Sequence, residues 1–330
     1  MHRIAPALFL RAIRAFLPVV LIGGILTVFA TWAEQGAKTY RIGVLSTVLG
    51  PTSPVGQAFR ERLKELGYIE GQNFTIEVRG GLGSSDQLQA VATELVQLRV
   101  DLIVSVGPYA LEAAKNATNR IPIVFAGVGA NFPGIHDAPN LTGVAEEIIE
   151  STVKRLALLK EAIPTLTRIA ILANPNNYGT QAYLQHCRAW AQGAGITLQV
   201  YEVRDPDDIT RAFAKMIDDR VEGLIAFTDS VIFSQREKIV QTALKNRLPG
   251  SYPYREWVTS GGLLSYGPNL TTILRETVPV MVAKILKGAK PIALPIEQPR
   301  SEIFINLRTA RALGLIIPQS LLSRADERIE

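Results

Sequence analysis

Two apolar stretches, Arg41-Ile-Gly-Val-Leu45 and Arg168-Ile-Ala-Ile-Leu172, decide the fold of this chain. Each has the length and composition of a buried strand, and each is followed by a polar, turn-rich segment and then by a helical pattern. The same order of strand and helix patterns continues from both stretches. Short buried strands that alternate with helices predict parallel sheets covered by helices on both faces. The repetition predicts two similar α/β lobes.

The alternation is clearest in the first half. Phe59, Leu63 and Leu66 recur at helical spacing among charged residues, and Gly67 closes that helix. The second half repeats the order of elements without repeating the residues. The predicted strands lie at residues 41–45, 74–78, 102–106 and 123–125 in the first half and at 168–172, 197–201 and 223–227 in the second.

The chain changes character after residue 260. A strand-like segment at 262–266 precedes a long amphipathic helical pattern from Leu274 to Ile285, and a last strand is predicted at 303–305. Because each half supplies few elements for a sheet of this class, we expect the two lobes to share this tail, with several strands crossing between them. The predicted fold class is α/β, with two doubly wound parallel-sheet lobes joined by a multi-strand hinge.

The first 33 residues have the composition of an export signal. Arg3, Arg11 and Arg14 precede an uncharged, mostly apolar segment that ends in small residues. This order is typical of a secretory signal peptide, with cleavage expected after Ala33 or, as an alternative, after Ala30. A retained membrane anchor is the alternative, because the uncharged run is long enough to span a bilayer. We therefore expect a periplasmic protein.

Composition excludes several classes of protein. Of the 330 residues, 47% are hydrophobic and 20% are charged, which is ordinary for globular domains and excludes disorder and coiled coil. The net charge of +5 falls to +2 once the three signal arginines are removed, and no Lys/Arg cluster appears, so nucleic-acid binding is not expected. A single cysteine, Cys187, excludes an internal disulfide framework, and three scattered histidines argue against a metal cluster.

The sequence also lacks the motifs of common enzyme classes. It contains neither a phosphate loop nor a nucleophile elbow, and Gly127-Val-Gly129 lacks the third glycine of a dinucleotide fingerprint. We interpret the acidic pair Glu146-Glu147 as solvated charge at a helix end or on the surface. The sequence therefore predicts a protein that is not an enzyme and that needs no cofactor or metal.

Polar loops bearing glycine or proline follow predicted strands in both halves. Because open α/β sheets bind ligands outside the carboxyl ends of their strands, we expect these loops to face a common cleft. Asp229 suits a ligand ammonium, but aspartate is also a frequent helix cap, and both interpretations stay open. Tyr109, Tyr252 and Tyr266 are candidate apolar walls. The loops contain Ser46-Thr47, Gly107-Pro108-Tyr109, Gly127, Asn174-Pro175-Asn176-Asn177 and Asp229-Ser230.

Ordered sequence blocks from about residue 40 to the end carry a family resemblance. They include Gly67-Tyr-Ile-Glu-Gly-Gln-Asn73, Ala113-Ala-Lys115 with Ile121-Pro-Ile-Val-Phe125, Asn174-Pro-Asn-Asn177, Gly261-Gly-Leu-Leu-Ser-Tyr-Gly-Pro268 and Leu321-Leu-Ser-Arg-Ala-Asp326. The chain resembles the ABC-transporter substrate-binding proteins of the tryptophan/tyrosine type. That resemblance implies a type I periplasmic binding fold, in which a three-stranded hinge joins two lobes that clamp a ligand.

The resemblance also implies lobe boundaries and ligand-binding positions. Lobe 1 is expected at residues 38–146 plus 267–298, and lobe 2 at 147–266 plus 299–330. The segment 126–140 departs from the family pattern, so the resemblance does not by itself assign an aromatic ligand. Carried over by position, the residues expected to line the cleft are Ser46, Thr47, Pro108, Tyr109, Asn174, Asn176, Asp229 and Ser265, to which the loops and apolar walls above add Gly127 and Tyr252.

The leading hypothesis is a periplasmic solute-binding protein. It would capture a small molecule, such as an amino acid or a related compound, and deliver it as a monomer to an ABC transporter permease in the inner membrane. One alternative is a periplasmic ligand sensor that docks on a membrane receptor, because both classes use the same clamp. A less favoured alternative is an exported two-lobed enzyme, which would need a convergent acid/base pair in the cleft.

Overall fold

The structure, a computed structural model, describes residues 38–46, 53–80 and 85–330. The described chain contains two sheets, one of five strands and one of seven, and helices pack against both. This two-sheet α/β architecture confirms the predicted fold class. The predicted export signal and Thr47 lie outside the described residues.

The first sheet consists of five parallel strands in the order β2-β1-β3-β4-β5. Ile42 and Leu45 of the second strand in this order are both fully buried, although they pack into different hydrophobic clusters. Burial on both faces explains why these strands are nearly continuous apolar runs. The strands are β1 Tyr40–Ser46, β2 Phe74–Arg79, β3 Leu102–Val106, β4 Ile123–Gly129 and β5 Leu141–Glu146.

Three helices connect the first four strands. The first begins after Ser53, whose Oγ accepts a hydrogen bond from the Gly56 N–H at 3.1 Å, so a side-chain cap sets its start. Phe59 and Leu63, predicted from the helical spacing, face the buried core of the sheet. The helices are α1 Pro54–Glu65, α2 Ser85–Gln97 and α3 Pro108–Ala117.

The second sheet has seven strands in the order β12-β11-β10-β9-β8-β6-β7. Its pairs are parallel except for the antiparallel pair formed by β10 and β11, which belong to the tail of the chain. The strands are β6 Arg168–Ala173, β7 Thr197–Glu202, β8 Gly223–Ala226, β9 Gly250–Tyr252, β10 Leu264–Pro268, β11 Ser301–Asn306 and β12 Glu327–Ile329.

Helices also cover the second sheet. Ile209, Phe213 and Met216 form the buried stripe of one of them, as their spacing predicts. The helices of this half are α4 Ile148–Ala162, α5 Thr180–Ala194, α6 Asp208–Asp218, α7 Ser230–Ser234, α8 Arg236–Lys245 and α9 Arg255–Thr259, with α12 Leu307–Leu313 and α13 Gln319–Leu322 near the end.

The tail of the chain contributes to both sheets. A helical segment packs its apolar side chains on the core of the first sheet, although the strands before and after it belong to the second. Glu297 then forms a parallel bridge with Val144 of β5 before the chain enters β11. The segment comprises α10 Leu270–Thr272, a π-helical turn Ile273–Thr277, α11 Val278–Leu286 and a 3₁₀ turn Pro291–Ala293.

Two predictions about the stretch after Phe125 need correction. Gly127 does not lie in a loop after the fourth strand, because β4 continues through an irregularity to Gly129. The φ of Gly127 is 67°, a conformation that glycine adopts without the steric penalty of a side chain. Glu146 is not solvated: it ends β5, and its side chain is buried against the opposite half of the chain.

Candidate functional site

A small cavity lies where the strand ends of the two sheets face each other. Its volume is about 30 Å³, which accommodates water but not an amino acid. One wall comes from the ends of β3 and β4 and from the tail segment that packs on the first sheet, and the other comes from the segments after β8 and β9. The lining residues are Val106, Gly107, Pro108, Gly127, Thr228, Asp229, Ser230, Phe233, Tyr254 and Leu270.

Asp229 is the most highly connected polar side chain of this cavity. Its Oδ1 accepts hydrogen bonds from the backbone N–H groups of Val231 at 2.8 Å and Ile232 at 3.2 Å, so Asp229 caps α7. Its Oδ2 accepts from Asn177 Nδ2 at 3.0 Å and from the Tyr109 hydroxyl at 3.0 Å. In this structure the capping interpretation therefore holds, and both carboxylate oxygens already have donors.

Tyr109 connects the two sides of the cleft. It lies on α3 beside the first sheet, and its hydroxyl donates to Asp229, which follows the second sheet. The same hydroxyl accepts a hydrogen bond from Asn174 Nδ2 at 3.0 Å. Burial raises the pKa of the Tyr109 phenol well above its usual value, and the neighbouring Asp229 carboxylate raises it further. Tyr109 therefore remains a neutral donor at any physiological pH.

Further contacts join the two halves near this hydrogen bond. The Gly129 N–H at the end of β4 donates to the Tyr178 hydroxyl at 3.1 Å, and the Tyr178 ring packs edge-on against Phe132. A Cβ placed on Gly107 would lie only 2.7 Å from Ser230 Oγ, so the backbone of one wall nearly touches the side chain of the other. The two walls are therefore in direct contact in this structure.

Glu146 and Tyr254 form a second polar contact between the halves. The Tyr254 hydroxyl donates to Glu146 Oε2 at 3.0 Å, and the Tyr254 ring packs edge-on against Phe233. Burial raises the pKa of Glu146 to about 7, while the Tyr254 hydrogen bond and the charge of Arg155 oppose that rise. Arg155 is buried as well, and its Nη2 donates to Thr152 Oγ1. Glu146 Oε1 has no hydrogen-bond partner among the described residues.

The structure brings together part of the predicted site. Pro108, Gly127 and Asp229 line the cavity, and Tyr109 and Asn174 bond to Asp229 from the two sides. Ser46 is buried at the end of β1, at the same edge of the first sheet. Three predicted residues lie elsewhere: the exposed Asn176, the buried strand residue Ser265, and Tyr252, which stacks on Trp257 inside the second lobe's core.

Four residues near the cavity were not predicted as site residues: Asn177, Phe233, Tyr254 and Glu146. Asn177 ends the predicted polar loop that begins at Asn174, and Phe233 belongs to the apolar run after Asp229. Tyr254 follows β9, so the rule that ligands bind at strand ends points to it. Glu146 gives a weaker signal, because the strand that it ends was not recognised.

The described residues contain neither a cluster of metal-ligating side chains nor a helix suited to cross a membrane. No set of three or more His, Cys, Asp or Glu side chains in this part of the chain is arranged to hold a metal ion. Among the helices of the same residues, none combines the length and the apolar composition needed to cross a membrane.

Similar proteins have the same arrangement of two sheets. A conserved domain protein from Vibrio cholerae superposes with a TM-score of 0.78 at 24% identity, over 88% of this chain and 100% of that one. The ABC domain from Streptococcus pneumonia in complex with L-Trp superposes with a TM-score of 0.78 at 23% identity, also over 88% and 100%. At 24% and 23% sequence identity, these structural similarities establish the fold of the chain.

The sequence also matches proteins of one functional family. A curated relative, a tyrosine-binding protein of Clostridioides difficile (strain R20291), is 22% identical over 286 residues, which cover 84% of this chain and 82% of the relative. The family profile described as ABC transporter substrate binding protein matches residues 41–329, nearly all of the described chain. The chain therefore belongs to the ABC transporter substrate-binding protein family.

Proposed function

We propose that the chain captures an amino acid or a closely related small molecule between its two sheets and delivers it to an ABC transporter permease. The observation that carries this proposal is the hydrogen bond from Tyr109 to Asp229, which joins the two walls of the cavity. A clamp needs contacts that form when its halves close, and side chains on opposite sheets provide them. Ligand binding would replace some of these contacts and bias the equilibrium between open and closed forms.

The lining of the cavity supports a ligand with one polar and one apolar part. Phe233, Tyr254 and Leu270 present apolar surface, while Asp229 and Thr228 lie on the polar side. The names of the relatives point in the same direction, because one is called a tyrosine-binding protein and another is described in complex with L-Trp. Small-molecule sites are commonly apolar with a few well-placed polar groups.

Binding without chemical conversion fits the charges of the cavity. Asp229 is the acidic residue of the described lining, and capping and side-chain hydrogen bonds occupy both of its oxygens. A hydrolytic mechanism needs a base that can take up a proton next to the substrate.

We propose a monomer that acts in the periplasm after export directed by residues 1–33. The proposed lobes are residues 38–146 plus 267–298 and residues 147–266 plus 299–330.

A thermal-shift titration of the mature chain with each of the twenty amino acids, beginning with L-tyrosine and L-tryptophan, tests the proposal. A ligand that binds only the native state at 100 times its dissociation constant stabilises the protein by about 2.7 kcal/mol. Small-angle scattering should then show a smaller radius of gyration in the presence of the ligand. An unchanged melting temperature with all twenty amino acids, together with an unchanged scattering profile, would refute the proposal.

A matched pair of variants connects the binding to the cleft. Tyr109→Phe removes the hydroxyl that bonds to Asp229 and Asn174 but keeps the ring, so it should change the affinity for the ligand. Tyr266→Phe is the control, because Tyr266, a candidate wall in the sequence, is not among the residues that line the cavity and packs instead on the hydrophobic cluster around Leu158 and Ile305. Equal affinities of the two variants would argue against a ligand site at Tyr109.

A further inference from the structure

The cleft contains two buried carboxylates whose surroundings differ. The oxygens of Asp229 accept hydrogen bonds from backbone N–H groups of α7 and from the Tyr109 and Asn177 side chains. Glu146 is only 4% exposed. Its Oε2 accepts a hydrogen bond from the Tyr254 hydroxyl, whereas its Oε1 has no hydrogen-bond partner among the described residues. A buried polar atom without a partner is costly, so Glu146 is the carboxylate with capacity for another donor.

Glu146 lies at the carboxyl-end edge of the first sheet, the edge that borders the cavity. It is the last residue of β5, and it pairs in register with Gly129 at the end of β4. The residue that donates to it, Tyr254, follows β9 of the second sheet and lines the cavity together with Asp229. The carboxylate therefore lies one hydrogen bond behind the cavity wall, at the junction of the two halves.

The groups around Glu146 compensate its charge only in part. Arg155 on α4 is near enough to act on its charge, but no carboxylate of the described residues forms an ion pair with this guanidinium, and Arg155 Nε also has no partner. Glu256 on α9 adds a second negative charge. The remaining titratable groups that act on the site are the phenols of Tyr178, Tyr183 and Tyr254.

We infer that Glu146 receives the ammonium group of the bound ligand, so that the cleft selects small molecules that carry a protonated amine. This inference rests on the proposed function and deepens it by naming the ligand chemistry. Tyr254 orients the carboxylate through Oε2 and leaves Oε1 to accept an N–H of the ligand when the halves close around it. Charge-assisted hydrogen bonds of this kind are the strong ones in buried sites. Asp229 then organises the second wall and does not bind the ammonium.

The inference has a proton-linked consequence. Burial raises the pKa of Glu146 to about 7, so Glu146 is protonated in a large fraction of the molecules at neutral pH. An arriving ammonium favours the ionised form, and binding should release a proton from Glu146. Affinity for an amine should therefore fall by up to tenfold for each pH unit below about 7.

Three probes that share one ring separate the functional groups of the ligand. L-Tyrosine carries amine and carboxylate, tyramine carries only the amine, and 3-(4-hydroxyphenyl)propionate carries only the carboxylate. Calorimetric titrations of the mature chain at pH 6 and pH 8 should show binding of the two amines and much weaker binding of the third compound. Equal affinity for L-tyrosine and the compound without an amine would overturn the inference and leave the proposed function intact.

Matched variants locate the amine site. Glu146→Gln keeps the size of the side chain and should lower the affinity for the amines at least 30-fold, about 2 kcal/mol, and should remove the pH dependence. Glu147→Gln is the control, because this neighbouring side chain is exposed, and it should change affinity less than threefold. A Glu146→Gln protein that is folded by circular dichroism and binds L-tyrosine like the wild type overturns the inference. Wild-type protein that binds neither the three probes nor any of the twenty amino acids overturns both the inference and the proposed ligand class.

Discussion

Replacing Glu146 with glutamine should change how the stability of the protein depends on pH. The Glu146 carboxyl is buried, and this burial raises its pKa from 4.5 to about 7. The Tyr254 hydrogen bond and the Arg155 charge lower the pKa, and Glu256 raises it, but desolvation dominates. Glutamine is neutral at every pH and keeps a carbonyl oxygen that can accept the Tyr254 O–H.

The sign of the effect follows from proton binding. The folded state holds the Glu146 proton more tightly than the unfolded state, so the contribution of this group to stability is complete below pH 4.5. This contribution is lost as the pH rises from 4.5 to about 7, and at higher pH the effect of Glu146 on stability no longer changes. At 1.36 kcal/mol per pH unit, a difference of this size corresponds to about 3 kcal/mol. The glutamine variant should therefore gain about that much stability relative to the wild type between pH 4.5 and pH 8.

Urea unfolding at a series of fixed pH values measures this difference. The free energies of unfolding of wild type and Glu146→Gln are compared at each pH, with equal slopes against urea required for the comparison. Glu147→Gln provides the control: slight burial and the neighbouring Glu150 raise the pKa of Glu147 as well, but this side chain is exposed, so its replacement should give a much smaller change. A difference between wild type and Glu146→Gln that does not vary with pH would refute the assignment of Glu146 as a buried, proton-binding carboxyl.

Three further predictions concern the cleft and the N-terminus. Asp229→Asn keeps the helix cap but places an amide N–H against a neighbouring donor. It should therefore lower the free energy of unfolding by roughly 1–3 kcal/mol. A change below about 0.5 kcal/mol in urea titrations would contradict this expectation. Gly107→Ala forces a φ of 94° on a residue with a side chain and brings its Cβ to 2.7 Å from Ser230 Oγ, so the melting temperature should fall. Gly193 lies in a helix, and a Cβ at this position would meet no atom within 4 Å, so Gly193→Ala should raise the melting temperature. A higher melting temperature for Gly107→Ala than for Gly193→Ala would contradict the geometry. N-terminal sequencing of periplasmic protein should find a start just after one of Ala30–Ala33, whereas Met1 in the membrane fraction would indicate an anchor.

The alternation of strands and helices could be predicted from the sequence because buried parallel strands leave a strong local pattern. The runs at Ile42–Leu45 and Leu102–Val106 are buried on both faces, and they form part of β1 and all of β3 in the structure. Asp229 was recognised as an important polar residue because it directly follows such a run. The family resemblance was equally visible, since it rests on ordered blocks of sequence along nearly the whole chain.

Only the tertiary structure decided how the polar side chains of the site are used. The strand Leu141–Glu146 mixes small, polar and acidic residues, so no periodic pattern distinguishes it from a loop, and its acidic end resembles ordinary surface charge. Glu146 is buried because a tyrosine that stands 108 residues later in the chain covers it. Asp229 Oδ2 gains a donor from the opposite side of the cleft because the Tyr109 hydroxyl approaches it from α3. Local sequence encodes the preference of a segment for strand or helix, whereas the burial and partners of a side chain depend on residues that only folding brings near.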